Sequence, residues 1–321
     1  MALRRKNLHL GGEIERKPRS LWRDGMRRLL KNRAAIGGGV IVLTIALAAI
    51  FANFVAPYSY VEGDILNNYA GPSAAHPLGC DFMGRDLLSR LIYGARVSLA
   101  AAIVGAVTAF TIGVTFGLIS GFFGGKTDNI MMRFVDIMYS FPTLLLIILL
   151  MVYFKSSFST VTMDPHSFRG ILSSIDRGMG GMFFIFVGIG LTSWLGMARL
   201  VRAMTLSVRE KEYVEAARAV GTPRFRILFR HVFPNVLGPA IVAQALQIPG
   251  FILYEAFLSF IGLGVNPPTP SWGMMLSDGY QAMRSYFHLV LWPALAISIT
   301  LFAFNFLGDG VRDAFDPRQT R

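Results

Sequence analysis

Three groups of residues in this 321-residue chain have types and spacings that covalent or metal chemistry could use. Gly125-Lys126-Thr127 imitates the end of a phosphate-binding Walker A loop, but the first glycine of such a loop falls at Ser120, and the segment follows an apolar helix instead of a strand. This chain is therefore not expected to bind ATP itself. His76, Cys80 and Asp81 lie close together, yet three candidate ligands without a fourth do not make a zinc site. Asp136 and Asp309 stand at the ends of two apolar segments, as the paired aspartates of an intramembrane protease would. Phe306-Leu307-Gly308 before Asp309 lacks the glycine pair of such enzymes, so capping or interfacial roles fit these carboxylates better. No Gly-x-Ser-x-Gly elbow occurs. No catalytic, cofactor-binding or metal-ligating residue is assigned.

Two further patterns point to mechanics and transport. The segment from Arg209 to Pro223 reads as a polar helix, Glu215-Ala216-Ala217 within it, ended by Gly221 and restarted after Pro223. Its small residues Ala216, Ala217 and Ala219 leave room for a partner to press against it, which suits the transmission of force between subunits. In the fifth apolar segment Pro249-Gly250 is expected to interrupt the helix, and Gln244, Gln247, Tyr254, Glu255 and Ser259 share one face. A carboxylate in hydrocarbon is costly, so Glu255 is expected either to face a pathway with Gln244 and Gln247 or to make a structural interhelical hydrogen bond.

The elements that must hold these residues are membrane helices. The chain is 53% hydrophobic and 16% charged, with one cysteine, which excludes a disulfide framework. Six apolar stretches approach the roughly 20 residues needed to cross a bilayer: about 36–56, 97–123, 134–154, 181–203, 236–263 and 286–307. Gly105, Ala109, Gly113, Gly117 and Gly121 recur every four residues in the second, a smooth strip for close helix packing. Of the 31 Lys and Arg, 24 fall in segments that are cytoplasmic if the N-terminus is inside, and 7 in the opposite ones. That asymmetry places both termini inside and accounts for the net charge of +12 without a nucleic-acid partner. Residues 1–35 read as a basic cytoplasmic tail carrying an amphipathic helix (Leu21, Trp22, Met26, Leu29 and Leu30 among basic residues) on the lipid surface. Residues 36–321 form the transmembrane domain, with a cytoplasmic loop over about 204–235.

On these motifs the chain resembles the permease subunits of ATP-binding cassette importers. Glu215-Ala216-Ala217, Gly221 and Pro234 match the spacing of that family's cytoplasmic loop, with His231 and Phe233 where the general pattern has Ile and Leu. His231-Val232-Phe233-Pro234-Asn235 is similar to the dipeptide, oligopeptide and nickel branch. So are His76-Pro77-Leu78-Gly79, Gly84-Arg85-Asp86, Leu258 to Gly264 and Pro267 to Gly273, which point to the C-type subunit of that branch. The resemblance implies an all-α, six-span type I importer fold in a prokaryotic inner membrane, in which Glu215 to Gly221 form a coupling helix. It also implies a homologous B-type permease, two ATPase subunits that bind ATP and Mg, and an extracytoplasmic substrate-binding protein as partners. The substrate is expected to be a peptide, and this chain is expected to be non-catalytic. An ion-coupled secondary transporter is the rival reading; it needs no Glu-Ala-Ala loop, and the sequence offers no internal repeat in its favour.

Overall fold

The computed structural model describes residues 21–158 and 167–315, so the part of the basic tail before Leu21 lies outside the described residues. In chain order the helices are α1 (Leu21–Leu29), α2 (Arg33–Ile50), α3 (Ala52–Val55), α4 (Leu87–Phe123), α5 (Gly125–Ser140), α6 (Thr143–Phe158), α7 (Phe168–Gly178), α8 (Phe183–Arg209), α9 (Glu212–Ala219), α10 (Arg224–Ile227), α11 (Phe233–Phe260), α12 (Trp272–Ala282) and α13 (His288–Phe315). Among the described residues no strand forms; the one bridge pairs Cys80 with Asp86. Among the described residues five helical runs are long and apolar enough to cross a bilayer: α2, α4, α8, α10 to α11, and α13.

The third expected span differs from its sequence reading. Instead of one helix over 134–154, α5 and α6 meet at a bend of 78°, and they make a sixth crossing only as a broken pair. Pro142 is the cause. It has no N–H for a helical ladder and drives the residue before it out of the helical region, and Phe141 is extended at φ −88°, ψ 131°. Pro249 has the opposite outcome: α11 runs unbroken through it and through Pro239. Neighbouring helices can hold a transmembrane helix straight where a proline removes one rung, and Pro249 is buried among them.

The second span starts ten residues earlier than its hydropathy indicates. Asp86 caps α4, accepting from the Ser89 N–H at 2.7 Å, and the added turns carry Arg90 and Arg96, which a search for apolar runs passes over. Arg96 donates to Ala49 O and Ile50 O at the end of α2.

The small-residue strip of α4 builds the central seam. A Cβ on Gly113 would lie 2.6 Å from Met197 Cβ, one on Gly117 2.5 Å from Ala198 O, and one on Gly121 2.8 Å from Thr205 Cβ, so the backbones of α4 and α8 meet directly. Gly105 faces Phe251 of α11 instead. A second seam joins α2 to α13, where Gly38 meets Ala303 O and Gly310 meets Ala35. α1 docks on the far end of α13, with Gly25 against Ala314 and Phe315. On the face expected to be external, α12 lies against α11 and α13, and Trp272 donates from Nε1 to Leu91 O at 2.9 Å. Beneath it the Arg90 guanidinium is 1% exposed, 3.4 Å from Asp81 and 3.7 Å from Asp278.

Candidate functional site

The loop between α8 and α11 is a folded unit. Glu212 and Glu215 occupy the first turn of α9, where the helix dipole favours acids, and Arg218 its last. The helix stops in a left-handed turn: Gly221 has φ +78°, Gly221 N–H donates to Arg218 O at 2.9 Å, and Thr222 N–H to Ala217 O at 3.1 Å. This pair of bonds satisfies carbonyls that the helix end would orphan, and it requires a residue that accepts positive φ. Glu215, Ala216 and Ala219 are exposed. Ala217 is not available to a partner as the sequence reading had it. It is 8% exposed and joins Val214, Ile227, Leu228, Val201 and Val232 in a core that fastens the loop to α8 and α11. With an exposed neighbour on one side and an inward one on the other, only one face of the Glu-Ala-Ala triplet is outward. Pro234 sits in the first turn of α11 behind a five-residue π-helical turn, Leu228–Val232. The wider turn accommodates a ring that would clash with the carbonyl four residues before it.

Two arginines of α8, at the start of this loop, bind α4 and α5. Arg209, three residues before α9, donates to Gly121 O and Phe122 O at the end of α4 at 3.1 and 3.4 Å. About two turns earlier on α8, Arg202 grips Asp128 of α5 through Nε at 2.5 Å and Nη2 at 2.6 Å, and Ser120 donates to the same carboxylate. Two arginines thus connect the end of α8 that leads into α9 to α4 and α5. Neither pairing was legible in the sequence, because the partners are 74 to 88 residues apart and arginines near a helix end are ordinary. Beside α9 an open cavity of about 510 Å³ is rimmed by Phe123, Arg209, Arg218 and Arg224.

The polar residues of the fifth span divide. Glu255 is fully buried within the chain, accepting from Ser98 of α4 and from Ser259 one turn on, both at 2.7 Å. Gln244 is also buried, and neither atom of its amide has a partner among the described residues. Gln247 and Tyr254 instead line an open groove of about 360 Å³ between the α5–α6 break, α8 and α11. The residues grouped by helical rotation are therefore separated: Glu255, Ser259 and Gln244 lie in the helix packing, and Gln247 and Tyr254 in the groove. Between α3 and α4, His76 is engaged by Asp86 at 3.0 Å. Cys80 is fully buried, and burial, reinforced by the Asp86 and Asp81 carboxylates, pushes its thiol up to about 11.

Residues 113–321 match the family described as the binding-protein-dependent transport system inner membrane component, a stretch that includes α9, the π-helical turn and the groove. The chain belongs to that family. Residues 20–72 match the N-terminal transmembrane domain of oligopeptide transport permease C. Among curated permease relatives, the oligopeptide transport system permease protein OppC of Haemophilus influenzae is 42% identical over 308 residues, 95% of this chain and 91% of that one. Its counterpart in Bacillus subtilis is 41% identical over 306 residues, covering 95% and 92%. The dipeptide transport system permease protein DppC of Bacillus subtilis is 38% identical over 309 residues, covering 96% and 89%. Membership of the permease family over this length favours neither an ion-coupled transporter nor an intramembrane protease, and Asp136 is itself engaged, by Arg199 at 2.7 Å.

Proposed function

We propose that this chain is the C-type permease subunit of an ATP-driven, binding-protein-dependent importer of peptides. The observation that carries the reading is the match to peptide-transport permeases along nearly the whole chain. The chain lies in a prokaryotic inner membrane with both termini inside and holds no catalytic group. A homologous B-type permease completes the pore, two ATPases bind ATP and Mg, and an extracytoplasmic protein delivers the peptide. The exposed face of α9, with Glu215 and Ala216, seats in one ATPase. Closure of the ATPase pair biases the membrane helices between inward-open and outward-open states through differential affinity for the two. Arg209 and Arg202 carry that displacement to α4 and α5.

The test is a complex assembled in proteoliposomes and assayed for peptide uptake and for ATP hydrolysis stimulated by the binding protein. Gly221→Val has open space around it, since nothing lies within 4 Å of the added Cβ, but a β-branched residue at φ +78° is strained by roughly 1–3 kcal/mol. The variant should insert normally, lose uptake and lose stimulated hydrolysis, while the isolated ATPases keep their basal rate. Full uptake by the variant would refute the role of α9, and a parent complex that moves no peptide would refute the substrate.

A further inference from the structure

The groove between the α5–α6 break, α8 and α11 has an unusual combination of walls and end. Its polar lining is neutral: the hydroxyls of Tyr139, Thr143 and Tyr254 and the amide of Gln247 make no hydrogen bond to any described residue, so their donors and acceptors are unspent. At the end of the groove nearest the α9 loop, the Tyr139 ring carries the guanidinium of Arg199, 3.9 Å from its centroid. Arg199 in turn holds Asp136 through Nη2 at 2.7 Å. The two side chains are 45% and 64% exposed, and among the described residues nothing accepts from the other N–H groups of Arg199.

An ion pair this exposed is weakly held, because water screens it. It exchanges one partner at little cost when another cation or anion arrives. A short peptide brings that set: uncharged amides along its length, an ammonium at one end and a carboxylate at the other. Arg199 offers a fork suited to a carboxylate and is kept in place by the Tyr139 face, while Asp136 accepts from an ammonium.

We infer that Asp136, Tyr139 and Arg199 form a subsite for the charged termini of a zwitterionic peptide, one end at a time: Arg199 receives the carboxylate when that end leads and Asp136 the ammonium when the other leads, as the peptide passes along the neutral groove. The inference rests on the peptide-import reading and adds to it a contribution of this subunit to selection. Recognition by charge at the termini and by hydrogen bonds between them is indifferent to side-chain identity, as a carrier of varied peptides requires.

The experiment compares uptake of one tripeptide in three forms, with free termini, N-acetylated and C-amidated, by the full complex in proteoliposomes. Whatever choice the binding protein makes is common to every permease variant and cancels in the comparison. Arg199→Gln should lower the preference for the free carboxylate over the C-amide by about fivefold and leave the preference at the amino end alone; Asp136→Asn should do the converse. If the binding protein admits only free termini, the same peptides bearing a photoreactive group are presented to the complex without it. Labelling of the segment around Tyr139 should then fall about fivefold in the Arg199 variant for the N-acetylated peptide, and in the Asp136 variant for the C-amidated one. Equal losses for every peptide form, or no labelling of this segment in the parent, would overturn the inference. A complex that moves peptides with unchanged ratios refutes the subsite alone, whereas a complex that moves none refutes the import reading beneath it.

Discussion

The α4–α8 seam makes a quantitative demand on Gly117. A Cβ placed there would stand 2.5 Å from Ala198 O, 2.7 Å from Val201 Cβ and 2.8 Å from Arg202 N. Ordinary contacts between nonbonded carbons lie at about 3.5–4.0 Å, so the helices must part by roughly 1 Å, which forfeits about a quarter to a half of the attraction between each facing pair of atoms. Overpacking of this kind costs roughly 1–3 kcal/mol, and two of the three atoms met are backbone that cannot rotate away, which puts Gly117→Ala near the upper figure. Against that stands about 1 kcal/mol gained by replacing glycine inside a helix, leaving a net loss of about 2 kcal/mol. Thermal unfolding of the purified protein in mild detergent should show a midpoint lower by about 4–6 °C, and Gly117→Val should fall further. Gly37 of α2 is the control, since it is exposed and a Cβ there meets nothing within 4 Å. Gly37→Ala should match the parent or exceed it. A Gly117→Ala variant that melted at or above the parent would show that the helices do not meet backbone to backbone.

Three other outcomes follow from the geometry. Glu255→Gln keeps one acceptor and supplies a donor for the two serines that hold it, so the complex should assemble and retain most of its uptake, whereas Glu255→Ala strands two buried hydroxyls at about 1–3 kcal/mol each; normal folding with lost uptake in the Gln variant would instead give the carboxylate's charge a part in transport. Cys80 stays protonated below about 11 in the folded chain, so thiol reagents near neutral pH should modify it only after denaturation, and rapid labelling of the native protein would refute its burial. Burial holds the Asp278 carboxyl above the ordinary carboxylate range, with Arg90 opposing, so its contribution to stability is present at low pH and is lost as pH rises through the elevated value. The melting temperature of Asp278→Asn should therefore gain on the parent between about pH 4 and pH 7, and a difference that did not change with pH would contradict this.

What the sequence disclosed, and what it hid, divides along physical lines. Gly221 and the glycine strip of α4 were legible because each needs a property of one residue type, positive φ or the absence of a Cβ. The break at Phe141-Pro142 was present in the letters but averaged away, since a window long enough to find a span smooths over a single proline. Pro249 misled in the other direction, because whether a proline breaks a helix depends on the neighbours that hold it. Ala217 illustrates a different limit: two adjacent alanines on a short helix point about 100° apart, and which of them faces the chain's own core depends on Val214 and Ile227. Ser98 for Glu255, Asp128 for Arg202 and Asp136 for Arg199 are partners 63 to 157 residues away, which no local pattern could supply.

The length of α4 has a consequence of its own. Its 37 residues make a rod of about 55 Å, against about 30 Å of hydrocarbon, so close to half of it stands outside the bilayer. Welded to α8 along the glycine seam and gripped at its tip by Arg209, it behaves as a beam rather than a hinge. Tilting such a beam by about 10° around its middle carries each end about 5 Å in opposite directions. A displacement applied at the α9 end would then reappear at the opposite end, where Arg90 and the Leu91 contact with Trp272 of α12 lie. A see-saw of this kind asks for no sliding between helices, the one movement that interlocked backbones resist most.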